Sequence, residues 1–351
     1  MYEDNWKKLL SQSCTTVSEL SEYITLNREE QEWFDTVETG LSLLVNPYFA
    51  ELAGTSEAIR RQCVPRAAEL LRTEVESDDP LAEDANSPLP RMVHRYKNRV
   101  AVLVTDHCAM HCRHCFRRSF TGQGRKPLSR QERDEICFYL KEHTEVKEVL
   151  LTGGDLLTLS DGPLLELLKA FRDVREDLLL RLATRIPSSL PQRITPYLVQ
   201  ELGKLGPVWV ITQFNHPHEL TRESRGALNL LRKGGLPVMN QTVLLKGIND
   251  REDVLAELFQ SLLVQGVKPY YLFQGDLAAG TSHFRTNLER GWEIMKNLRR
   301  EISGLAMPVY AVDLPGGGGK IPLSESYLVE KKEAGFCFQN PEGHSFIYPD
   351  E

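Results

Sequence analysis

Six apolar runs that alternate with amphipathic helical patterns constrain the fold of this chain more than any other feature. The runs are RVAVLVTD (99–106), KEVLLTGG (147–154), LLLRLAT (178–184), PVWVITQF (207–214), PVMNQTVLL (237–245) and KPYYLFQG (268–275). The helical patterns lie near 129–143, 163–174, 196–204, 222–233, 251–265 and 287–303. Such alternation is typical of parallel βα units, and apolar runs without polar alternation indicate strands buried on both faces. Six units are too few for a closed eight-fold barrel, so the pattern predicts an α/β fold built on a partial (β/α)6 barrel.

The remaining segments divide the chain into four expected parts. Residues 1–75 carry apolar residues at helical spacing and form a helical N-terminal region, with EEQEWFDTVETGLSLL and EAIRRQCVPRAAELLRTEV as helical stretches. The acidic, proline-rich residues 76–98 lead into the barrel as a linker or ordered loop, the barrel spans 99–305, and 306–351 form a lysine-bearing loop and a C-terminal segment. In βα barrels, functional residues collect at the carboxyl ends of the strands.

Composition excludes several classes of protein. The 351 residues include 42 Lys and Arg against 49 Asp and Glu, a net charge of −7, which disfavours a nucleic-acid partner because binding to phosphates needs clustered cations. No apolar run reaches the ~18 residues of a membrane helix, so no membrane association is expected. The start MYEDNWKKLLSQ lacks the layout of a secretory signal. We therefore expect a cytoplasmic protein.

Three of the seven cysteines crowd into the loop after the first predicted strand. TDHCAMHCRHCFRR places Cys108, Cys112 and Cys115 in a C-x3-C-x2-C pattern. One interpretation is a zinc site completed by a histidine of the same loop, although structural zinc sites usually use two cysteine pairs. The other is a [4Fe–4S] cluster, in which three thiolates leave one iron open for a substrate. A zinc-binding interaction module without catalytic activity is the corresponding non-enzymatic hypothesis.

A lysine preceded by four glycines is the second unusual feature. In VDLPGGGGKIPL, the positions that a phosphate-binding P-loop requires as Gly and Ser/Thr are Leu314 and Ile321, so the segment is not a P-loop. It is either a flexible loop that ends in an exposed lysine, or a close-approach loop that presents Lys320 to an aldehyde as a Schiff-base lysine. Pyridoxal phosphate (PLP) is the cofactor that uses such a lysine.

These residues carry a family resemblance. The cysteine loop after the first strand, together with LTGGD (151–155) after the second, resembles the radical S-adenosylmethionine (SAM) superfamily. The segments DPLAEDANSPLPRMVHRYKNRVAVLVTDHCAMHCRHCFRR, LPQRITPYLVQEL, FNHPHELT, NQTVLLKGIND, PYYLFQGDLAAGTSHFRT and VDLPGGGGK resemble lysine 2,3-aminomutase, a PLP-dependent radical SAM family. The resemblance extends from about residue 79 to 325 and implies an isomerase with a [4Fe–4S] cluster, SAM and PLP as cofactors.

The resemblance also implies roles for individual residues. By the family pattern, the cluster is ligated by Cys108, Cys112 and Cys115, and the SAM region is lined by Gly153, Gly154, Asp155 and Gln241. Lys320 is the catalytic lysine that forms the Schiff base with PLP, and Arg95 binds the PLP phosphate. Arg117 binds the substrate carboxylate. Arg117 or Arg118 could instead neutralise the cluster, and Arg95 could be a surface charge.

Substrate choice is expected to follow charge. The family's lysine-specific members pair the distant ammonium of the substrate with two aspartates, which match Asp276 and Asp313, so the resemblance implies L-lysine as substrate and β-lysine as product. The alternatives are the shorter branch that acts on a lysine destined for elongation factor P, an aminomutase for another amino acid, and a radical SAM methyltransferase or thiotransferase, which would need no PLP lysine.

Some expectations concern departures and partners. The family often has tyrosine where this chain has Phe273 and histidine where it has Gln213, so SAM affinity or radical shielding is expected to differ. The tail has a single cysteine, so the zinc site of the longer enzymes is expected to be absent. An electron donor such as flavodoxin or ferredoxin is implied, and a homo-oligomer is left open.

Overall fold

The computed structural model describes residues 5–36, 40–324, 327–332, 335–340 and 342–348, and one sheet of nine strands dominates it. The strands follow each other in chain order: β1 (Met92–Tyr96), β2 (Arg99–Thr105), β3 (Glu148–Gly153), β4 (Leu179–Ala183), β5 (Val208–Thr212), β6 (Val238–Val243), β7 (Lys268–Phe273), β8 (Val309–Leu314) and β9 (Gly319–Pro322). Strands β2 to β8 are parallel, whereas β1 and β9 pair antiparallel at the two edges. The sheet is therefore an open, curled partial barrel.

Six long helices connect the parallel strands. They are α6 (Arg130–Glu142), α7 (Asp161–Arg172), α9 (Pro196–Lys204), α10 (Arg222–Lys233), α11 (Glu252–Val264) and α12 (Leu288–Glu301), and the short α8 (Ile186–Ser189) precedes α9. The six predicted βα units are confirmed. A seventh parallel strand, β8, follows them in the segment that the sequence interpretation assigned to the lysine loop.

Alternate burial along the strands separates the core from the interior of the partial barrel. Val102, Leu151, Leu182 and Leu272 are fully buried and pack with the apolar stripes of the surrounding helices. Side chains at intervening positions, such as Tyr271, are only half-buried. The open interior is therefore lined by the residues that do not serve the core.

The N-terminal region is helical only in part. Its helices are α1 (Asn5–Ser11), α2 (Val17–Leu20), α3 (Arg28–Thr36), α4 (Pro47–Thr55) and α5 (Glu57–Cys63). Of the stretch 29–44 predicted as helix, residues 37–39 lie outside the described part of the chain, and residues 41–44 are not helical because the adjoining Val45 forms backbone bridges with Cys14 and Met110. The predicted helix after Cys63 is only a 3₁₀ turn, Ala67–Leu70. A second apolar cluster that includes Phe49 and Met110 packs this region against the loop after β2.

The acidic segment before the barrel is ordered. The backbone N–H of Ser77 donates to Leu277, and Ala279 donates back to Ser77, so the segment is fastened to the loop after β7. Strands β10 (Leu328–Lys332), β11 (Gly335–Gln339) and β12 (Ser345–Tyr348) form a separate antiparallel sheet. Among the described residues, no helix is long and apolar enough to cross a membrane.

Candidate active site

The cysteine loop lies at the carboxyl end of β2, where the loops after β3 and β4 meet it. All seven cysteines of the chain are free thiols, including Cys108, Cys112 and Cys115. Burial, reinforced by the neighbouring cysteines, raises the pKa of the Cys108 thiol well above its ordinary value and also raises that of Cys115. A buried thiol whose pKa is raised becomes a thiolate ligand when a bound metal supplies positive charge. The donor set therefore fits an iron–sulfur cluster held by three thiolates.

Arg185, immediately after β4, is the cationic neighbour of this loop. Its Nη1 lies 2.9 Å from the sulfur of Cys112, and its Nη2 donates to Glu219 at 3.2 Å and to Gln62 at 2.5 Å. The side chain is buried, so its charge acts on the sulfur with little screening by water. The sequence interpretation did not single out Arg185, although ATRIP places it at the carboxyl end of a strand.

The histidines of the cysteine loop are directed elsewhere. His111 Nδ1 lies 2.9 Å from the carbonyl oxygen of Ser42, His114 Nε2 lies 3.1 Å from the Gln213 amide, and His107 is largely exposed. Within the described ranges, no three His, Cys, Asp or Glu side chains, the cysteines of this loop included, are arranged to hold a single metal ion. The zinc interpretation, which needs a histidine to complete the thiol set, gains no support from this geometry.

The glycines after β3 fit against the cysteine loop with no space to spare. A Cβ on Gly153, whose φ is +115°, would lie 2.5 Å from the Thr105 carbonyl oxygen, and one on Gly154 would lie 2.3 Å from that of His107. The Asp155 carboxylate accepts from the Thr184 hydroxyl at 2.7 Å and from the Arg185 N–H at 2.6 Å. Burial raises the pKa of Asp155 to about 6. This motif joins the ends of β2, β3 and β4 into one surface.

Lys320 lies on β9 and points into the interior of the partial barrel. Its Nζ is 3.8 Å from Asp313 on β8 and lies over the ring of Phe273, 4.4 Å from the centroid. Burial lowers the pKa of the Lys320 ammonium, although Asp313 opposes that shift. A lysine that loses its proton more readily is the nucleophile that carbonyl addition requires.

Arg95 on β1 lies beside this lysine. Its Nε and Nη1 are buried without a hydrogen-bond partner among the described residues. A Cβ on Gly319, whose φ is +92°, would lie 2.7 Å from Arg95 Nη2, so only glycine permits this approach. The N–H of Lys320 also donates to the Tyr96 hydroxyl at 2.8 Å, a contact that sequence patterns gave no signal for. The unpaired donors of Arg95 fit the phosphate of PLP, and the nucleophilic Lys320 beside them fits its aldehyde.

Two carboxylates complete the interior. Asp276, in the loop after β7, has its pKa raised to about 7 by burial and then by the charge of Asp313. Burial raises the pKa of Asp313 as well. Two neighbouring carboxylates in a desolvated site favour the binding of a cation between or beside them.

Arg117 lies near these carboxylates but is bound to other residues. It forms a bidentate ion pair with Glu83 and donates from Nη1 to the Thr152 hydroxyl at 3.0 Å. Glu83 was not identified from sequence, because it lies 34 positions away along the chain. Arg118, its neighbour, instead pairs with Glu69.

The polar residues of β6 and β7 line the same interior. Gln241 is half-buried between the buried Asn240 and Thr242, and its partner in the strand register is Tyr271. Lys320 Nζ lies 4.9 Å from the centroid of the Tyr271 ring. Tyr271 on β7 therefore lies next to both Gln241 on β6 and Lys320 on β9.

Comparisons with known proteins identify the family. The chain is 41% identical over 350 residues to L-lysine 2,3-aminomutase of Acetoanaerobium sticklandii, covering 99% of this chain and 84% of that protein. The enzyme of the same name from Clostridium subterminale is 40% identical with the same coverage. The chain belongs to the lysine 2,3-aminomutase family. The family profile of the radical SAM superfamily matches residues 102–259, and the profile described as lysine-2,3-aminomutase matches 295–351.

Family membership confirms the main sequence predictions. The chain is a radical SAM isomerase, and the [4Fe–4S] cluster, SAM and PLP are the cofactors of its family. A glutamate 2,3-aminomutase of Clostridioides difficile is also 40% identical, over 99% of this chain and 83% of that protein. Overall identity therefore does not distinguish the two substrates, and residues of the site must do so.

Proposed function

We propose that this protein interconverts L-lysine and β-lysine by moving the amino group from Cα to Cβ. One observation carries the choice of substrate: Asp276 and Asp313, two carboxylates with raised pKa values, lie beside the lysine that would hold PLP. A substrate that brings an ammonium to this place relieves their repulsion, whereas a glutamate side chain would add a third negative charge.

Different residues of the chain are assigned to each cofactor. We assign the cluster to Cys108, Cys112 and Cys115, the SAM region to Gly153, Gly154, Asp155 and Gln241, the PLP phosphate to Arg95, and the PLP aldehyde to Lys320. When bound, the cluster and SAM supply a radical that abstracts hydrogen, and PLP carries the migrating nitrogen.

The substrate would be held at both ends. Arg117 offers guanidinium N–H groups to the α-carboxylate, and Asp276 with Asp313 accepts the side-chain ammonium. Phe273 and Tyr271, whose rings lie against Lys320, exclude water from the reacting part of the site. The protein contributes orientation and exclusion of water, because both ends of the substrate are fixed before its central carbons react.

Anaerobic reconstitution tests the proposal. We expect the protein with iron, sulfide and PLP to show a broad iron–sulfur absorption and a PLP band that shifts on borohydride reduction. With SAM and a reductant it should convert lysine, but not glutamate, to the β-isomer. A cluster without PLP binding, or turnover of glutamate alone, would refute the proposal.

The aspartate pair supports a first prediction. Replacing both residues (Asp276→Asn with Asp313→Asn) removes the charge that compensates a buried ammonium, and we expect kcat/KM for lysine to fall about 10²- to 10³-fold. Steady-state kinetics of β-lysine formation provide the measurement. Asp84→Asn, which removes an exposed carboxylate from the acidic loop, serves as the control. A double variant with unchanged KM would contradict the assignment.

The same pair predicts a dependence on pH. An aspartate whose pKa is raised to about 7 is neutral below that pH and offers its charge to the ammonium only above it. We therefore expect kcat/KM for lysine to rise with pH between about 6 and 8. In Asp276→Asn the rise should move to lower pH, because the carboxyl that ionises last has been removed. A profile that the substitution leaves in place would assign the rise to another group.

We also propose the cellular setting. A flavodoxin or ferredoxin supplies the electron, the protein is cytoplasmic, and neither nucleic acid nor membrane is a partner. The net charge of −7 and the seven free thiols support this setting. Light scattering tests whether the chain assembles into a homo-oligomer.

A further inference from the structure

The acidic loop before β1 sends one carboxylate into the site. Glu83 Oε2 accepts from Arg117 Nε at 2.9 Å, and Glu83 Oε1 accepts from Arg117 Nη2 at 2.6 Å. Only 18% of the Glu83 side chain and 13% of the Arg117 side chain are exposed. An ion pair that is largely withdrawn from water and bidentate fixes the plane of the guanidinium.

A count of donors shows what this pairing leaves available. A guanidinium carries five N–H bonds, one on Nε and two on each terminal nitrogen. Glu83 takes the Nε edge and one N–H of Nη2, and Thr152 takes one N–H of Nη1. One N–H on each terminal nitrogen remains, and this pair, the free fork of Arg117, is available to a carboxylate ligand. Glu83 thus occupies the side of Arg117 and leaves its end free.

Glu83 is itself held in place from both sides of the site. Its N–H donates to Asp79 at 2.9 Å, as does that of Asp84 at 3.1 Å. The adjoining Ala82 has a φ of +51° and faces the glycine loop, where a Cβ on Gly317 would lie 3.4 Å from its Cβ. Because Ser77 pairs with the loop after β7, the segment that carries Glu83 contacts both walls that carry the aspartates.

The charges give Glu83 a second effect. Arg117 lies close enough to Asp276 and Asp313 to lower the pKa of each carboxyl. Without Glu83, the guanidinium would have two buried carboxylates as its remaining anionic partners. Rotation toward them would remove it from the α-carboxylate and neutralise the pair that the substrate ammonium needs.

We propose that Glu83 is a positioning residue that aims the free fork of Arg117 at the α-carboxylate and keeps Arg117 away from the aspartate pair. The inference rests on the proposed function, because that function assigns Arg117 to the carboxylate. It adds to the site a residue that touches neither substrate nor cofactor and acts on the α-carboxylate through Arg117, while its own charge also raises the pKa of Asp276.

Lysine binding tests this role without catalysis. The dissociation constant of lysine can be followed by the change in PLP absorbance of the anaerobic holoenzyme before any reductant is added. We expect Glu83→Ala to weaken binding ~10- to 100-fold. Glu83→Gln, which keeps one acceptor oxygen, should fall between Glu83→Ala and the unmodified protein, and Asp84→Asn in the same loop should bind normally.

A double-mutant cycle separates positioning from a structural role. In an Arg117→Gln background, Glu83→Ala should cause no further loss of lysine affinity, because the residue through which Glu83 acts is gone. An equal loss in both backgrounds, or a fall in Tm with parallel loss of PLP, would overturn the proposal. If Arg117→Gln alone leaves lysine binding intact, the assignment of Arg117 fails. Absence of β-lysine formation by the unmodified protein would refute the proposed function itself.

Discussion

Cys108→Ala is expected to abolish formation of β-lysine while PLP still binds. Two thiolates cannot hold a cubane cluster that needs three protein ligands, so the iron–sulfur absorption and the reductive cleavage of SAM are lost together. Lys320 and Arg95 lie on β9 and β1, outside the cysteine loop, and are expected to be unaffected. Iron content, the visible spectrum and the release of 5′-deoxyadenosine measure the effect.

Cys137→Ala provides the matched control for this experiment. Cys137 is a half-buried thiol on α6, outside the cysteine loop, and its sulfur contacts the carbonyl oxygen of Ala170. We expect this variant to keep iron, SAM cleavage and β-lysine formation. Retention of a full cluster by Cys108→Ala would show that the three thiols are not the ligand set.

Lys320→Ala is expected to lose bound PLP and keep the cluster, the reverse of Cys108→Ala. The variant should bind its cluster and cleave SAM, because the cysteine loop is intact, but it should neither hold PLP covalently nor form β-lysine. The structural reason is the position of Nζ, which is the nucleophile between the Phe273 ring and Asp313. Borohydride reduction followed by mass spectrometry of the peptide that contains residue 320 detects the covalent adduct.

Lys320→Arg distinguishes the nucleophile from the charge. Arginine retains a cation beside Asp313 but does not add to an aldehyde. We therefore expect Lys320→Arg to fold with a Tm close to that of the unmodified protein and to be as inactive as Lys320→Ala. Activity in the arginine variant would reduce Lys320 to a counter-ion of the aspartate.

Local patterns explain which parts of the fold could be predicted. The βα units were recognised because each strand is an apolar run and each helix has its own amphipathic period, as in Arg222–Lys233. Strand β8 was missed because VYAVDL leads directly into the glycine loop and is not followed by a helical pattern. Residues 41–44 resemble a helix in composition, but backbone bridges from the adjoining Val45 to distant partners override that preference.

The residues of the site were likewise only partly predictable from sequence. Cys108, Cys112 and Cys115 are close together along the chain, and Lys320 follows a rare run of glycines, so both were visible as motifs. Arg185 and Glu83 were not, because their importance depends on partners 73 and 34 positions away. A single sequence records that a residue is charged, whereas its partner is decided only by how the strands assemble.

The contact between Lys320 and Tyr96 has a consequence for the molecule as a whole. These residues lie on β9 and β1, the last and first strands of an open sheet, so the proposed PLP pocket is also the seam along which the sheet ends approach each other. A cofactor held by Arg95 on β1 and by Lys320 on β9 would link the two edge strands of the sheet. PLP then stabilises the folded barrel by about 2.7 kcal/mol at a hundredfold excess over its Kd, through mass action alone. The enzyme's resistance to heat should consequently report how much of it is loaded.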